Sequence, residues 1–139
     1  MYRIIAKFFA LGSLLLLPFQ NVYAAEEAPL TAVGSTVVNA AEAKALFDKK
    51  AIFLDGRKDS DWEAGRIAGA VHLEVSAKLT KESLAKHAKV TDSIVVYCNG
   101  IKCLVSSNVI AKIRPWGYTK LFYFRDGLPA WKAANYPVE

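Results

Sequence analysis

Ile94-Val95-Val96-Tyr97-Cys98-Asn99-Gly100-Ile101-Lys102-Cys103-Leu104 passes from four consecutive apolar residues straight into a cysteine and a short polar loop. Four β-branched or aromatic residues without alternation read as a strand buried on both faces. After the loop the period changes: Val105, Val109 and Ile113 share one side of a helix that ends before Pro115. Strand, loop and helix in that order form part of a crossover unit, the building block of parallel sheets.

The place of Cys98 gives it chemistry. Backbone N–H groups of a short loop can turn inward, and the following helix presents its positive end to the same point. Both features favour a thiolate over a thiol. The same donors hold an anion in the manner of an oxyanion hole. Lys102 adds a positive charge, and Gly100 admits a backbone conformation closed to other residues. Cys98 is therefore the candidate nucleophile, and Asn99, Gly100, Ile101, Lys102 and Cys103 form the candidate cradle. A buried cysteine ahead of an ordinary strand-to-helix turn is the alternative reading.

Outward from this stretch, strands and helices alternate. Asn39 with Glu42 forms an N-cap and box partner, and Ala43, Leu46 and Phe47 make a helical stripe behind it. Ile52-Phe53-Leu54 reads as a buried strand stopped by Asp55-Gly56. Asp59 reads as the cap of a one-turn helix that carries Trp62 and ends at Gly65. Residues 70–73 form another short strand, and Thr80 caps a helix with Leu84 and Ala88. Residues 121–124 form the last strand, and Asp126 caps a final helix holding Trp131. The pattern predicts an α/β fold of three layers, a central, mainly parallel sheet with helices on both faces. Ligands of such sheets bind beyond the carboxyl ends of strands, here Asp55-Gly56-Arg57 and Tyr97-Cys98. Asp55 reads as half of an ion pair pinning two loops, and Arg57 as an anion contact.

The chain has 139 residues, 53% hydrophobic and 22% charged, which suits one domain and excludes a collagen, a coiled-coil rod or a disordered tail. Residues 1–24 read as a secretory signal peptide: Arg3 and Lys7 begin it, residues 8–17 are its apolar run, and Val22-Tyr23-Ala24 offers cleavage after Ala24. The apolar run covers only about 15 Å as a helix, too short for a lasting membrane anchor. Residues 25–36, with Pro29, Gly34 and no periodicity, read as a flexible leader, and residues 37–139 as the domain. Export implies an oxidising, periplasmic setting. Removing Arg3 and Lys7 from the 18 basic residues leaves 16 against 13 acidic ones. Those lysines are scattered among acids, and Lys78, Lys81, Lys86 and Lys89 read as a wet helix face, so no nucleic-acid partner is expected. Two cysteines exclude a disulfide scaffold, and neither His72 nor His87 offers a metal pair; no metal or cofactor is expected. Trp62 and Trp131 read as packing, and His72 as a structural histidine.

Several motifs, in register, carry a family resemblance. Leu54-Asp55-Gly56-Arg57 followed by Asp61-Trp62-Glu63-Ala64-Gly65-Arg66-Ile67-Ala68-Gly69-Ala70-Val71-His72-Leu73 resembles the front half of a rhodanese domain. Val95-Val96-Tyr97-Cys98-Asn99-Gly100 resembles its active-site strand and loop. Gly117-Tyr118 through Arg125-Asp126-Gly127-Leu128-Pro129-Ala130-Trp131 resembles its closing strand and helix. The chain departs from the family pattern at Asn99, where a basic residue is frequent, at Arg66 and Asp126, and most of all at Cys103. The resemblance implies a rhodanese-type sulfurtransferase of the thiosulfate:cyanide class. Cys98 would take a sulfane sulfur from a small anionic donor such as thiosulfate, become a persulfide, and pass the sulfur to cyanide or a thiol.

Three rival readings bear on the same residues. A cysteine phosphatase needs an arginine six residues after its nucleophile, and Leu104 stands there, with no means of gripping phosphate. A non-catalytic binding module on the same scaffold has no use for an intact reactive cysteine. A periplasmic thiol redox or sulfur-carrier protein would use Cys98 and Cys103 together. Two readings of Cys103 stay open: a small residue packed at a helix start, or a resolving thiol that attacks the Cys98 persulfide or sulfenic acid and closes a disulfide. The second reading expects the loop to flex before the sulfurs meet.

Overall fold

The computed structural model describes residues 26–139; the signal-peptide reading of residues 1–24 lies outside the described residues. Strands β1 (Ser35–Val37), β2 (Ile52–Asp55), β3 (Val71–His72), β4 (Ile94–Tyr97) and β5 (Leu121–Phe124) form one sheet in the order β1-β5-β4-β2-β3. All four pairings are parallel, so every carboxyl end lies along one edge. Helices α1 (Ala40–Asp48), α2 (Asp59–Ala64), α3 (Lys81–Ala85), α4 (Val105–Ile113) and α5 (Gly127–Ala133) complete the described elements, with a short 3-10 turn at Arg114–Trp116.

β4 is the central strand, and its alternate residues are buried in two different cores. Ile94 and Val96 pack with Leu54, Leu121 and Tyr123 against Leu84 of α3 and Val109, Ile110 and Ile113 of α4. Val95 and Tyr97 pack with Phe53 and Phe124 against Ala43 of α1 and Leu128 and Trp131 of α5. The sheet is thus covered on both faces, as an uninterrupted apolar strand requires. Trp131 is fully buried, its ring centroid 5.3 Å from that of Phe47 and 5.5 Å from that of Phe53, and its indole N–H donates to the Pro137 carbonyl at 2.8 Å.

Caps behave unevenly. Asn39 accepts from the Glu42 N–H while Glu42 reaches back to the Asn39 N–H, the reciprocal box its spacing predicts. Thr80 and Ser83 do the same for α3, which stops at Ala85, so Ala88 is buried beyond the helix. Asp59 is not a cap: Lys58 holds that position, and Asp59 lies in the first turn, paired with Lys78. Asp126 occupies the cap position of α5 but accepts no N–H there, because the N–H of Leu128, which a cap would satisfy, donates to the Cys98 carbonyl.

Residues 26–36 are not a loose leader. Ser35–Val37 pairs with β5, Ala28 and Ala32 are buried, and the Ala28 N–H donates to the Ile101 carbonyl at 2.6 Å. Arg125 donates twice to the Ala28 carbonyl, and the Tyr123 hydroxyl donates to that of Pro29. Composition misleads here, because a three-residue edge strand has no room for periodicity and alanines pack closely without an apolar stripe.

Trp131→Ala removes the largest fully buried side chain of one core. It should cost about 3–5 kcal/mol, the usual penalty for emptying a buried tryptophan site. Urea denaturation followed by circular dichroism should show a midpoint lowered accordingly. An unmoved midpoint would place Trp131 outside the cooperative core.

Candidate functional site

Three strand ends meet around Cys98. β4 delivers it, β2 on one side delivers Arg57, and β5 on the other delivers Asp126 and Gly127. Cys98 is fully buried, while Ile101 and Lys102 in the loop that it opens are exposed. The Cys103 N–H donates to the Gly100 carbonyl, which folds the loop into a turn, and Gly100 takes a φ of +114°, the conformation expected of it. Among the described residues, the N–H groups of Asn99, Gly100, Ile101 and Lys102 donate to no protein acceptor, and Lys102 has no ion-pair partner. An open cavity of about 450 Å³ beside the loop is lined by Asn99, Gly100, Ile101, Lys102, Asp126 and Pro129.

Gly127 fixes how closely β5 and its helix approach. Its φ is +62°, and a Cβ there would overlap the Cys98 carbonyl oxygen and stand 3.0 Å from the Gly100 nitrogen. Only glycine lets this backbone lie against the loop.

The two cysteines are joined as a disulfide with Cα atoms 6.1 Å apart. That separation falls inside the range of about 4.4–6.8 Å that disulfides span. The loop as folded therefore already brings the sulfurs together, and the flexing expected from sequence is not needed for their meeting. Cys103 is half-buried, just ahead of the first residue of α4.

Arg57 does not contact the loop as a free cation. It is 2% exposed. Its Nε and Nη2 donate to the Asp55 carboxylate, Nη2 also donates to the Gly65 carbonyl at 2.8 Å, and Nη1 donates to Asn99 Oδ1 at 2.8 Å. The expected anion contact is thus replaced by a pin from β2 to the reactive loop. Burial works against the Arg57 charge, but the hydrogen-bonded carboxylate of Asp55 outweighs it and raises the guanidinium pKa. Asn99 is held from its other end by Asp61, which accepts from Nδ2 at 3.1 Å.

Sequence reasoning missed Tyr97 and Asp61. The Tyr97 hydroxyl donates to Asp55 Oδ2 at 2.7 Å and accepts the Ile67 N–H at 3.2 Å. Burial and the nearby carboxylate push its pKa above the ordinary phenol value, so it remains a donor. A tyrosine ending an otherwise aliphatic buried strand was the available signal, since a buried hydroxyl needs a partner. His72 is structural: its Nε2 meets the Arg57 carbonyl at 2.7 Å and its ring stacks on Trp62 at 4.6 Å, while the Arg66 guanidinium also lies over the Trp62 ring, 4.4 Å from its centroid.

Arg57→Ala should therefore be a stability mutation. It leaves the Asp55 carboxylate buried without its countercharge, at a cost of about 3–5 kcal/mol. Asn99→Ala, which removes bonds at an exposed residue, should cost about 1 kcal/mol or less. Equilibrium denaturation of both variants checks the contrast, and an Arg57→Ala protein as stable as the parent would restore Arg57 as a free ligand contact.

Residues 39–134 match the family model of the rhodanese-like domain. The uncharacterized protein YibN of Escherichia coli K12 is 32% identical over 106 residues, which cover 73% of this chain and 71% of YibN. The BH2092 protein of Bacillus halodurans has a similar structure, with a TM-score of 0.67 at 21% identity over 76% of this chain and 77% of that one. A thiosulfate sulfurtransferase of Pseudomonas aeruginosa matches with a TM-score of 0.59 at 21% identity, over 76% of this chain and 20% of its own. At those identities the two structures share a fold. The family match over most of the chain, the YibN relationship and the five-stranded parallel sheet agree: this chain belongs to the rhodanese-like family.

Proposed function

We propose that the protein is a sulfurtransferase of the thiosulfate:cyanide class, working through a persulfide on Cys98. One observation carries the reading: Cys98 directly follows the central strand and opens a loop whose successive N–H groups have no protein acceptor among the described residues, with Lys102, unpaired among the same residues, at its rim. Such donors stabilise negative charge on a bound sulfur without reorganising. The shared fold of a named thiosulfate sulfurtransferase supports the same reading.

The reaction starts from the reduced protein, because the disulfide occupies the nucleophile. The Cys98 thiolate attacks the sulfane sulfur of thiosulfate, the S–S bond of the donor breaks, and sulfite leaves. Cys98 then carries a persulfide whose outer sulfur bears negative charge toward the loop N–H groups. Cyanide or a thiolate attacks that outer sulfur and departs with it, restoring the Cys98 thiolate. Arg57 and Asp61 act as positioning residues, since they hold the side chain of Asn99 from two sides. The export signal read in residues 1–24 fits a periplasmic enzyme, and we include that location in the proposal.

Cys98→Ser should reduce thiocyanate formation from thiosulfate and cyanide to under about a tenth of the parent rate while leaving the circular dichroism spectrum unchanged, because a serine hydroxyl is far less acidic than the thiol. A variant that keeps more activity than that would remove Cys98 from the mechanism.

Lys102→Ala should act on donor binding. An exposed cation meeting an anion in a wet loop contributes about 1–2 kcal/mol, so the KM for thiosulfate should rise roughly 5–30-fold with a smaller change in kcat. Steady-state kinetics at varied thiosulfate decides this; a lowered kcat at constant KM would assign Lys102 to bond making instead.

A further inference from the structure

We propose that Cys103 is a resolving thiol, so that the protein reduces the sulfane sulfur it accepts and releases it as hydrosulfide at the expense of a dithiol. The inference rests on the sulfurtransferase reading and extends it to the fate of the sulfur. Three observations carry it. The loop already holds the two Cα atoms 6.1 Å apart with their sulfurs joined, so no refolding separates the persulfide from the second thiol. The pair is asymmetric, with Cys98 fully buried and Cys103 half-buried at the start of α4. The chain contains two cysteines in all, so each is the other's sole intramolecular partner.

The chemistry balances. The Cys103 thiolate attacks Cys98 Sγ, the inner sulfur of the persulfide. The bond between Cys98 Sγ and the outer sulfur breaks, and the outer sulfur leaves as hydrosulfide after taking a proton. That sulfur gains two electrons, and the two cysteines lose two in becoming the disulfide. An external dithiol then attacks the sulfur of Cys103, the less buried residue of the pair. The Cys98 thiolate leaves, stabilised by the loop donors, and a low-pKa thiolate is the faster leaving group. The second thiol of the reductant clears Cys103 and completes the reductant's own disulfide. In sum, thiosulfate and a dithiol become sulfite, hydrosulfide, a proton and a disulfide. A simple sulfurtransferase has no use for the second thiol; this cycle requires it.

The test is a single turnover without oxygen. Wild-type protein is reduced, freed of reductant and given thiosulfate alone. It should release about one equivalent of hydrosulfide per chain and end with the two cysteines resistant to alkylation, as a disulfide whose formation tracks the release. Cys103→Ser and Cys103→Ala, each checked for folding by circular dichroism, should release less than about a tenth as much and retain on Cys98 the mass of one extra sulfur atom, since nothing remains to displace it. Wild-type protein that keeps the persulfide with Cys103 still open to alkylation overturns the proposal, and so do variants that release as much hydrosulfide as the parent. A parallel assay with cyanide separates the two levels. Thiocyanate without hydrosulfide release sinks the resolving role alone, whereas neither product from wild type sinks the sulfurtransferase reading as well.

Discussion

The carboxylate of Asp55 is the constraint on which the reactive loop depends. It is fully buried at the carboxyl end of β2, a placement that leaves no water to solvate a charge. It accepts from the backbone and side chain of Arg57 and from the hydroxyl of Tyr97. Those bonds tie β2 to the last residue of β4, one residue before Cys98. The guanidinium it neutralises then reaches Gly65 and Asn99, so one ion pair fixes the strand end, the turn after α2 and the first residue of the loop. A buried pair of this kind adds little net stability over an apolar replacement, and its removal by halves is costly. What it provides here is register, because a charge that must be paired permits one arrangement of three segments.

The opposite wall is set by backbone instead of charge. Leu128 donates to the Cys98 carbonyl, and Gly127 lies so close that no side chain fits between. The segment before β1 closes the remaining side through its bond to Ile101, itself braced by Arg125. The loop is therefore held from β2, from β5 and from the leading segment, while Lys102 and the edge of the cavity stay open to solvent. Rigid support beneath and an open rim above suit the small anionic donor proposed for this loop, since preorganised donors lose little entropy on binding.

Much of this was legible in the chain. Ile94–Tyr97 and Leu121–Phe124 have the bounds that their apolar runs predict, because strands buried on both faces cannot include a polar residue without exposing the change. The box at Asn39 and the placement of Cys98 were equally plain. The misreadings share a cause. Arg57 and Asp59 each make a contact far along the chain that their sequence neighbours do not show, and the N–H that Asp126 would cap donates instead to the Cys98 carbonyl. Asn99 is 42 residues from Arg57, and Lys78 is 19 from Asp59. Local reasoning saw an anion contact and two caps where the structure has a pin to Asn99, an ion pair with Lys78 and an N–H drawn off to Cys98. The leading segment failed for a related reason, since its contacts lie 97 residues away at Arg125.

The cysteine pair brings these strands of reasoning together. A nucleophile meant only to carry sulfur is best protected in a buried cradle with no second thiol in reach, above all where the surroundings oxidise thiols. Here the turn at Gly100 returns the chain so that Cys103 faces Cys98, and the disulfide coexists with the pins at Asn99 and Gly127. Under the proposed sulfurtransferase reading, the donors that stabilise a thiolate for attack also stabilise it as a leaving group when the disulfide is reduced, because the charge they face is identical in both steps. With Cys98 buried and Cys103 half-buried, the proposed cycle directs a reductant to Cys103 and returns Cys98 free. In the proposed cycle the loop donors that favour the Cys98 thiolate also ease reopening of the oxidised pair, which turns what would otherwise be an oxidative dead end into a step that can be repeated.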